Sequence, residues 1–286
     1  MNISFVIPAY NEEHYIGSCI DAILAEIAGR KGFEIVVVDN NSTDRTVEIV
    51  SRYSNVTLIH EKRKGANSAR QTGFGASKGD LVAFIDADTQ MPRGWVARAE
   101  KEFAKHPDLV CLSGPFIYYD LPKSIRALVK AFYVISYGVY FMNNFILRKT
   151  SVVQGGNEIV RRSALEKIGG HNVNLTFYGD DADLAKRLRK VGEVKFSFRF
   201  PIRSSGRRLA REGTFTMGLR YGLNYFWVML FNKPFTMTAK EIRLADNERT
   251  YEPENKSKEW MIAVGVAVTT IVVTGGMAYF IYWALH

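Results

Sequence analysis

Between residues 3 and 88, short runs of Val, Ile, Leu and Phe alternate with stretches of helical spacing. "ISFVIPAY" (3–10), "FEIVVVDN" (33–40), "VTLIHE" (56–61) and "LVAFIDAD" (81–88) predict four strands. The first intervening stretch puts Ile16, Ile20, Ile23, Leu24 and Ile27 on one helix face and stops at Gly29. The second, "STDRTVEIVSRYS", predicts a helix capped by Ser42 or Thr43, and the third is the Gly- and Ala-rich "GANSARQTGFGASKG". Strands that are apolar on both faces and alternate with helices predict an α/β fold: an open, mostly parallel sheet with helices on both sides.

The second half is less regular. "VCLSGPFIYY" (110–119) predicts one strand. Residues 122–150 and 214–237 are aromatic stretches broken by Lys, Arg, Asn and Gly, suited either to core packing or to amphipathic helices lying on a bilayer. Residues 238–259 are polar and charged, as a linker would be. From Trp260 to Trp283 roughly two dozen residues carry no charge, enough for a helix to cross about 30 Å of hydrocarbon. Trp260, Tyr279, Tyr282 and Trp283 stand toward its ends, where amphipathic rings favour the membrane interface. The expected layout is therefore a domain over 1–237, a linker over 238–259 and a single transmembrane anchor over 260–285.

No basic, signal-like segment precedes "ISFVIP", and Lys256 and Lys258 flank the apolar stretch. Both features predict that the N-terminal domain stays on the cytoplasmic side of the cell membrane. Cys19 and Cys111 make no disulfide framework, which suits a reducing compartment. The net charge is +9, but neither zinc spacing nor an RNA-binding signature accompanies it. The expectation is no nucleic-acid partner; anionic head groups or a phosphorylated substrate account for the basic stretches.

In an open parallel sheet, ligands gather at the carboxyl ends of the strands, near a switch in strand order. Three of the predicted ends are polar: Pro8-Ala9-Tyr10-Asn11-Glu12, Asp39-Asn40-Asn41 and Asp86-Ala87-Asp88. An acid after a strand is often only a helix cap. Two acids at alternate positions of an extended chain would face the same way, and their repulsion calls for a counterion. A hard divalent cation, Mn²⁺ or Mg²⁺, fits carboxylate oxygens and completes its shell with phosphates and water.

"FVIPAYNEEHYIGSCIDAI", "EIVVVDNNSTDRTVEI", "KGANSARQTGFGASKGDLVAFIDADT" and "YGDDADLAKRLRKVG", in that order, resemble the family 2 glycosyltransferases over roughly residues 1–210. The resemblance implies a GT-A (Rossmann-like) fold and inverting, metal-dependent use of a nucleotide-diphosphate sugar. It implies that Pro8, Ala9, Tyr10 and Glu12 hold the nucleoside, with Asp39 on the base. Lys64, Gly65 and Arg70 would line the nucleotide-sugar pocket, Asp86 would bind ribose or sugar hydroxyls, and Asp88 would be the metal ligand. Gly155, Gly156 and Asn157 would lie beside the sugar and acceptor, and Asp181 would be the catalytic base. Asp180 stands where many relatives have Glu, a shorter arm, and an acidic helix N-terminus would be favoured by the macrodipole in any case. "SSGRRLAREG" (204–213) could close on the diphosphate through Arg207 or Arg208, or could be a solvated face.

The expected function is transfer of a sugar to a hydroxyl of a lipid or lipid-linked acceptor. A polyprenyl phosphate acceptor is the alternative, because "DADTQ" with Gln90 resembles the metal motif of the dolichol-phosphate mannose synthases, although "GDDADL" argues against it. A non-catalytic membrane scaffold is the third possibility, disfavoured by the self-repelling acids at 39, 86, 88 and 181.

Overall fold

The computed structural model describes residues 1–141, 151–175 and 179–231, together with Lys233, Phe235 and Thr236. The expected linker and anchor over 238–285 lie outside the described residues, as do 142–150 of the first aromatic stretch.

The four predicted strands form: β1 (Ile3–Ala9), β2 (Phe33–Asp39), β3 (Val56–His60) and β4 (Leu81–Ile85). With β6 (Leu109–Ser113), β8 (Asn157–Arg161) and β9 (Glu193–Phe196) they make a seven-stranded sheet in the order β3-β2-β1-β4-β8-β6-β9. Only β8 runs antiparallel to its neighbours, β4 and β6. A three-stranded sheet of β5 (Thr89–Gln90), β10 (Ile202–Ser204) and β7 (Phe116–Tyr118) stands beyond the end of β4.

Both faces of the large sheet are dry along its inner strands. On one, Ile3, Phe5 and Ile7 pack with Ile16, Ile20 and Ile23 of α1 (Ile16–Ile27) and with Trp95, Val96 and Phe103 of α4 (Trp95–Lys105). On the other, Val6, Val36 and Val38 meet Ala69 and Phe74 of α3 (Ala66–Ala76) and Leu184 and Leu188 of α7 (Asp180–Leu188). Each such side chain contributes about 1.5–3 kcal/mol by leaving water. The small-residue composition of α3 has a steric reason. A Cβ on Gly73 would collide with Val6 and reach Val38 at 3.0 Å, so the helix lies almost on the sheet.

Three local expectations are corrected. The second helix, α2 (Thr46–Val50), is capped by neither Ser42 nor Thr43. Asp44 accepts from the Thr46 N–H instead, while Ser42 Oγ and Thr43 N–H bond to Asn11. Residues 110–119 are not one strand, because Gly114 and Pro115 break them into β6 and β7 of different sheets. β4 ends at Ile85, three residues earlier than expected. Of the aromatic stretches, 123–141 form α5 (Lys123–Phe141) and 214–231 form α9 (Thr214–Phe231). No helix among the described residues is long and apolar enough to cross a membrane.

Candidate active site

The chain steps outward from β1 to β2 and β3, then crosses back to place β4 on the other side of β1. The switch point is therefore the crevice between the carboxyl ends of β1 and β4. Their pairing stops at Val6–Phe84, short of Pro8, which has no N–H to give.

One wall is set by backbone register. Ala9, Asp39 and His60 stand side by side across β1, β2 and β3. Asp39 is 4% exposed; it accepts from the Ser42 N–H at 3.1 Å and lies 3.2 Å from His60 Nδ1. Asn40, which sequence reasoning left without a role, pins the next loop. Its Nδ2 donates to the Glu61 and Arg63 carbonyls, and its Oδ1 accepts from the Gly65 N–H at 2.8 Å. Gly65 (φ +129°) turns the chain into α3, and the exposed Lys64 carries its ammonium 5.7 Å from the centre of the Tyr10 ring. Asn11 and Asn41, in the neighbouring loops after β1 and β2, hold left-handed backbone, a strain that persists only where surroundings enforce it.

Asp86 and Asp88 do not share an extended face. A turn follows Ile85, closed by the Thr89 N–H and hydroxyl on the Asp86 carbonyl, and it sends the two carboxylates to different cations. Arg70 Nη2 donates to Asp86 at 3.1 Å, and Arg207 Nη2 lies 3.1 Å from Asp88. Their mutual repulsion is thus balanced here by two guanidiniums.

Arg70 also reaches across to Asp180 through Nη1 at 3.0 Å, tying the β4 turn to the start of α7. Burial works against its charge, yet Asp86 and Asp180 outweigh burial and push its pKa up. Within "GDDADL" the roles divide clearly. Asp183 turns along the helix to Arg187 at 2.7 Å, Asp180 takes Arg70, and Asp181 sits over the Gly155 backbone. Burial, and then the neighbouring Asp180, raise the Asp181 pKa; Arg70 and the Gly155 N–H pull the other way without cancelling the rise. The two glycines are needed for contact. A Cβ on Gly155 would overlap the Asp181 carboxylate, and one on Gly156 (φ +78°) would overlap that of Asp86.

Asn157 is a correction. It is completely buried; its amide donates to the Gly114 and Phe200 carbonyls and accepts from Trp95 Nε1. Its side chain braces the two sheets and does not line the crevice. Glu158, the next residue, points to the opposite face and was not singled out in the sequence. An acid inside the apolar run "NEIV" was the available signal.

The basic loop also divides. Arg207, at the start of α8 (Arg207–Glu212), donates to both Glu12 oxygens at 2.6 and 2.7 Å and lies over the Tyr15 ring, 4.5 Å from its centre. Arg208 turns away to Glu212 at 2.7 Å. Glu12, expected at the nucleoside, is 3% exposed and engaged by Arg207. Asp120 anchors this loop by accepting from Ser205 Oγ and the Gly206 N–H, and Tyr119 OH and the Ser205 N–H both donate to the Asp88 carbonyl at 3.2 Å.

An open, mostly parallel sheet with paired helices and acids gathered at its switch point defines an α/β fold of the GT-A kind. The model of "Glycosyl transferase family 2" matches residues 4–169, and the chain belongs to that family. It is 35% identical over 195 residues to the glycosyltransferase AglE of Haloferax volcanii, covering 66% of this chain and 62% of AglE. It is 33% identical over 94 residues to the poly(ribitol-phosphate) beta-glucosyltransferase of Bacillus spizizenii, covering 31% of this chain but 15% of that protein. The chain thus spans less than two thirds of these curated relatives. Among solved structures, S. aureus TarS 1–349 superposes with a TM-score of 0.58 at 16% identity, covering 96% of this chain and 72% of that one. The glucosyl-3-phosphoglycerate synthase of Mycobacterium tuberculosis, solved with Mn²⁺ and UDP-glucose, gives 0.55 at 19%, covering 80% and 78%. At such identity these two show a shared fold.

Proposed function

We propose that the chain transfers a sugar, with inversion, from a nucleotide-diphosphate sugar to a hydroxyl of a lipid or lipid-linked acceptor. It works at the cytoplasmic face of the cell membrane, held there by an anchor over 260–285. The observation that carries this reading is the meeting of Asp181 and Asp86 across the Gly155–Gly156 turn at the switch point. In this reading Asp86 would hold donor hydroxyls and Asp39 the base. Asp181 would take the proton of an acceptor hydroxyl as its oxygen bonds to the anomeric carbon, while the electron pair of the broken bond leaves with the diphosphate. Arg207, 3.1 Å from Asp88, would offset the charge of that leaving group.

The metal reading fits the donor set. Asp88 offers a hard carboxylate beside which a cationic group already sits, 3.1 Å away in Arg207. No group of three His, Cys, Asp or Glu gathers among the described residues. The Asp88 carboxylate by itself would serve Mn²⁺ or Mg²⁺, which is held by one or two carboxylates and completed by substrate phosphate and water. When bound at Asp88 the ion would offset charge on the leaving diphosphate.

An ionised Asp181 beside the acceptor would repel a polyprenyl phosphate, which favours a neutral hydroxyl. Gln90, the residue of the alternative motif, lies in β5 paired with Arg203. TarS and the mycobacterial synthase were solved with UDP-GlcNAc and UDP-glucose, so these are the donors to try first. The test is to incubate the protein and Mn²⁺ with each radiolabelled donor and a membrane lipid extract. Label in the lipid fraction is expected. Donor hydrolysed or left intact, with no labelled lipid from any donor, would overturn the reading.

A further inference from the structure

Beneath the proposed site lies a polar cluster that the transfer chemistry does not itself use. Glu158 is 1% exposed on β8, in register with Phe84 of β4 and Ser113 of β6. Its Oε2 has no hydrogen-bond partner among the described residues, and the same holds for Arg70 Nε and for Nε2 of His171, whose ring meets Phe84 edge-on at 4.5 Å. The charged and titratable groups around Glu158 come from every side: Arg70 of α3, Asp86 of the β4 turn, Asp180 and Asp181 of α7, and Cys111 of β6. Were all four acids ionised, one buried guanidinium would face four carboxylates, and Glu158 is the one that no water reaches, since Asp86 and Asp180 keep 35% and 16% of their side chains exposed. A buried anion with an unmatched oxygen is among the costliest things a fold can contain. Asp86 and Asp180 each hold an Arg70 N–H, and Asp181, its own pKa also raised, lies by the Gly155 N–H; Glu158 is the acid with a buried oxygen that no donor among the described residues reaches.

We propose that Glu158 is a positioning residue: a neutral carboxylic acid walled into the sheet behind Arg70, whose lack of charge leaves the guanidinium to hold Asp86 and Asp180. Burial raises its pKa well above the carboxylate range; Arg70 pulls the other way, and Asp181, Asp180 and Asp86 add to the rise. His171 is likewise kept neutral, first by burial and then by Arg70 and Arg187, so it supplies no charge to offset an ionised Glu158. At alkaline pH Glu158 loses its proton, competes for Arg70 and loosens the hold on Asp86. This consequence rests on the reading of Asp86 as a donor-binding residue.

Two measurements test it. At neutral pH, the infrared difference between wild type and Glu158→Gln should contain the carbonyl stretch of a protonated carboxylic acid, shifted in D₂O. Loss of carboxylate bands alone overturns the proposal. If Glu158→Gln does not fold, wild type labelled with ¹³C-glutamate should show the same protonated band, and its absence overturns the proposal equally. The second measurement is the rise in melting midpoint on adding UDP and Mn²⁺, followed from neutral to alkaline pH. In wild type the rise should shrink at the alkaline end, whereas Glu158→Gln, fixed neutral, should retain it. Equal shrinkage in both sinks the positioning role. If neither protein binds UDP, the donor reading has failed, and the infrared band still decides whether Glu158 is the neutral acid.

Discussion

Arg207 and Glu12 lie 195 positions apart in the chain, yet the guanidinium donates to both oxygens of the carboxylate, at 2.6 and 2.7 Å. Both side chains are nearly out of water, at 11% and 3% exposure. The pair fastens the start of α8 to the turn after β1, across the mouth of the crevice. Removing one partner of such a buried pair typically costs about 3–5 kcal/mol, because the other charge keeps its desolvation penalty. Arg207→Ala should therefore be destabilised on that scale in urea unfolding, and Glu12→Gln combined with it should recover part of the loss. A single mutant as stable as wild type would show the ion pair to be immaterial.

Asp88→Asn should abolish the Mn²⁺-dependent rise in melting midpoint given by UDP, since a ligand that binds only the folded state raises that midpoint. The mutant without ligand should still unfold cooperatively, because the Asp88 backbone carbonyl, which receives Tyr119 and Ser205, is unchanged. Turnover that survives in EDTA would remove the metal from the mechanism.

Asp181→Asn should lower turnover on membrane extract at least about a hundredfold, the low end of what a positioned base provides, with little change in donor binding. The pH dependence follows from the raised pKa. A base works deprotonated, so wild-type turnover should climb with pH through a range above that of an ordinary carboxylate and fall as pH drops. A phosphate acceptor needs no such base; near-normal turnover in the mutant would favour that class instead.

The glycine pair should separate two functions. In Gly155→Ala the new methyl strikes the Asp181 carboxylate, so turnover should fall with donor affinity nearly kept. In Gly156→Ala it strikes Asp86 from a backbone at φ +78°, so donor affinity should fall, with about 1–3 kcal/mol of added backbone strain. Titrating UDP into each mutant and then measuring kcat gives the comparison. Identical losses in both would mean the turn merely collapses.

Much of the fold can be read from local pattern. Apolar runs such as Val36-Val37-Val38 are buried on both faces, so they specify interior strands without reference to any partner. The acids at the ends of β2 and β4 follow from the same reading, because parallel strands deliver their carboxyl ends to one edge. What the pattern could not decide is which charge meets which. Arg70 and Asp180 are 110 positions apart, and nothing in the period of either helix selects Arg207 over Arg208, or Asp181 over Asp183. Those choices were made by the sheet order, which folds α3, α7 and α8 around one crevice. The same holds for Asn157 and Glu158: adjacent residues of one strand point to opposite faces, and only the layers packed there make one a brace between sheets and the other a buried acid behind Arg70.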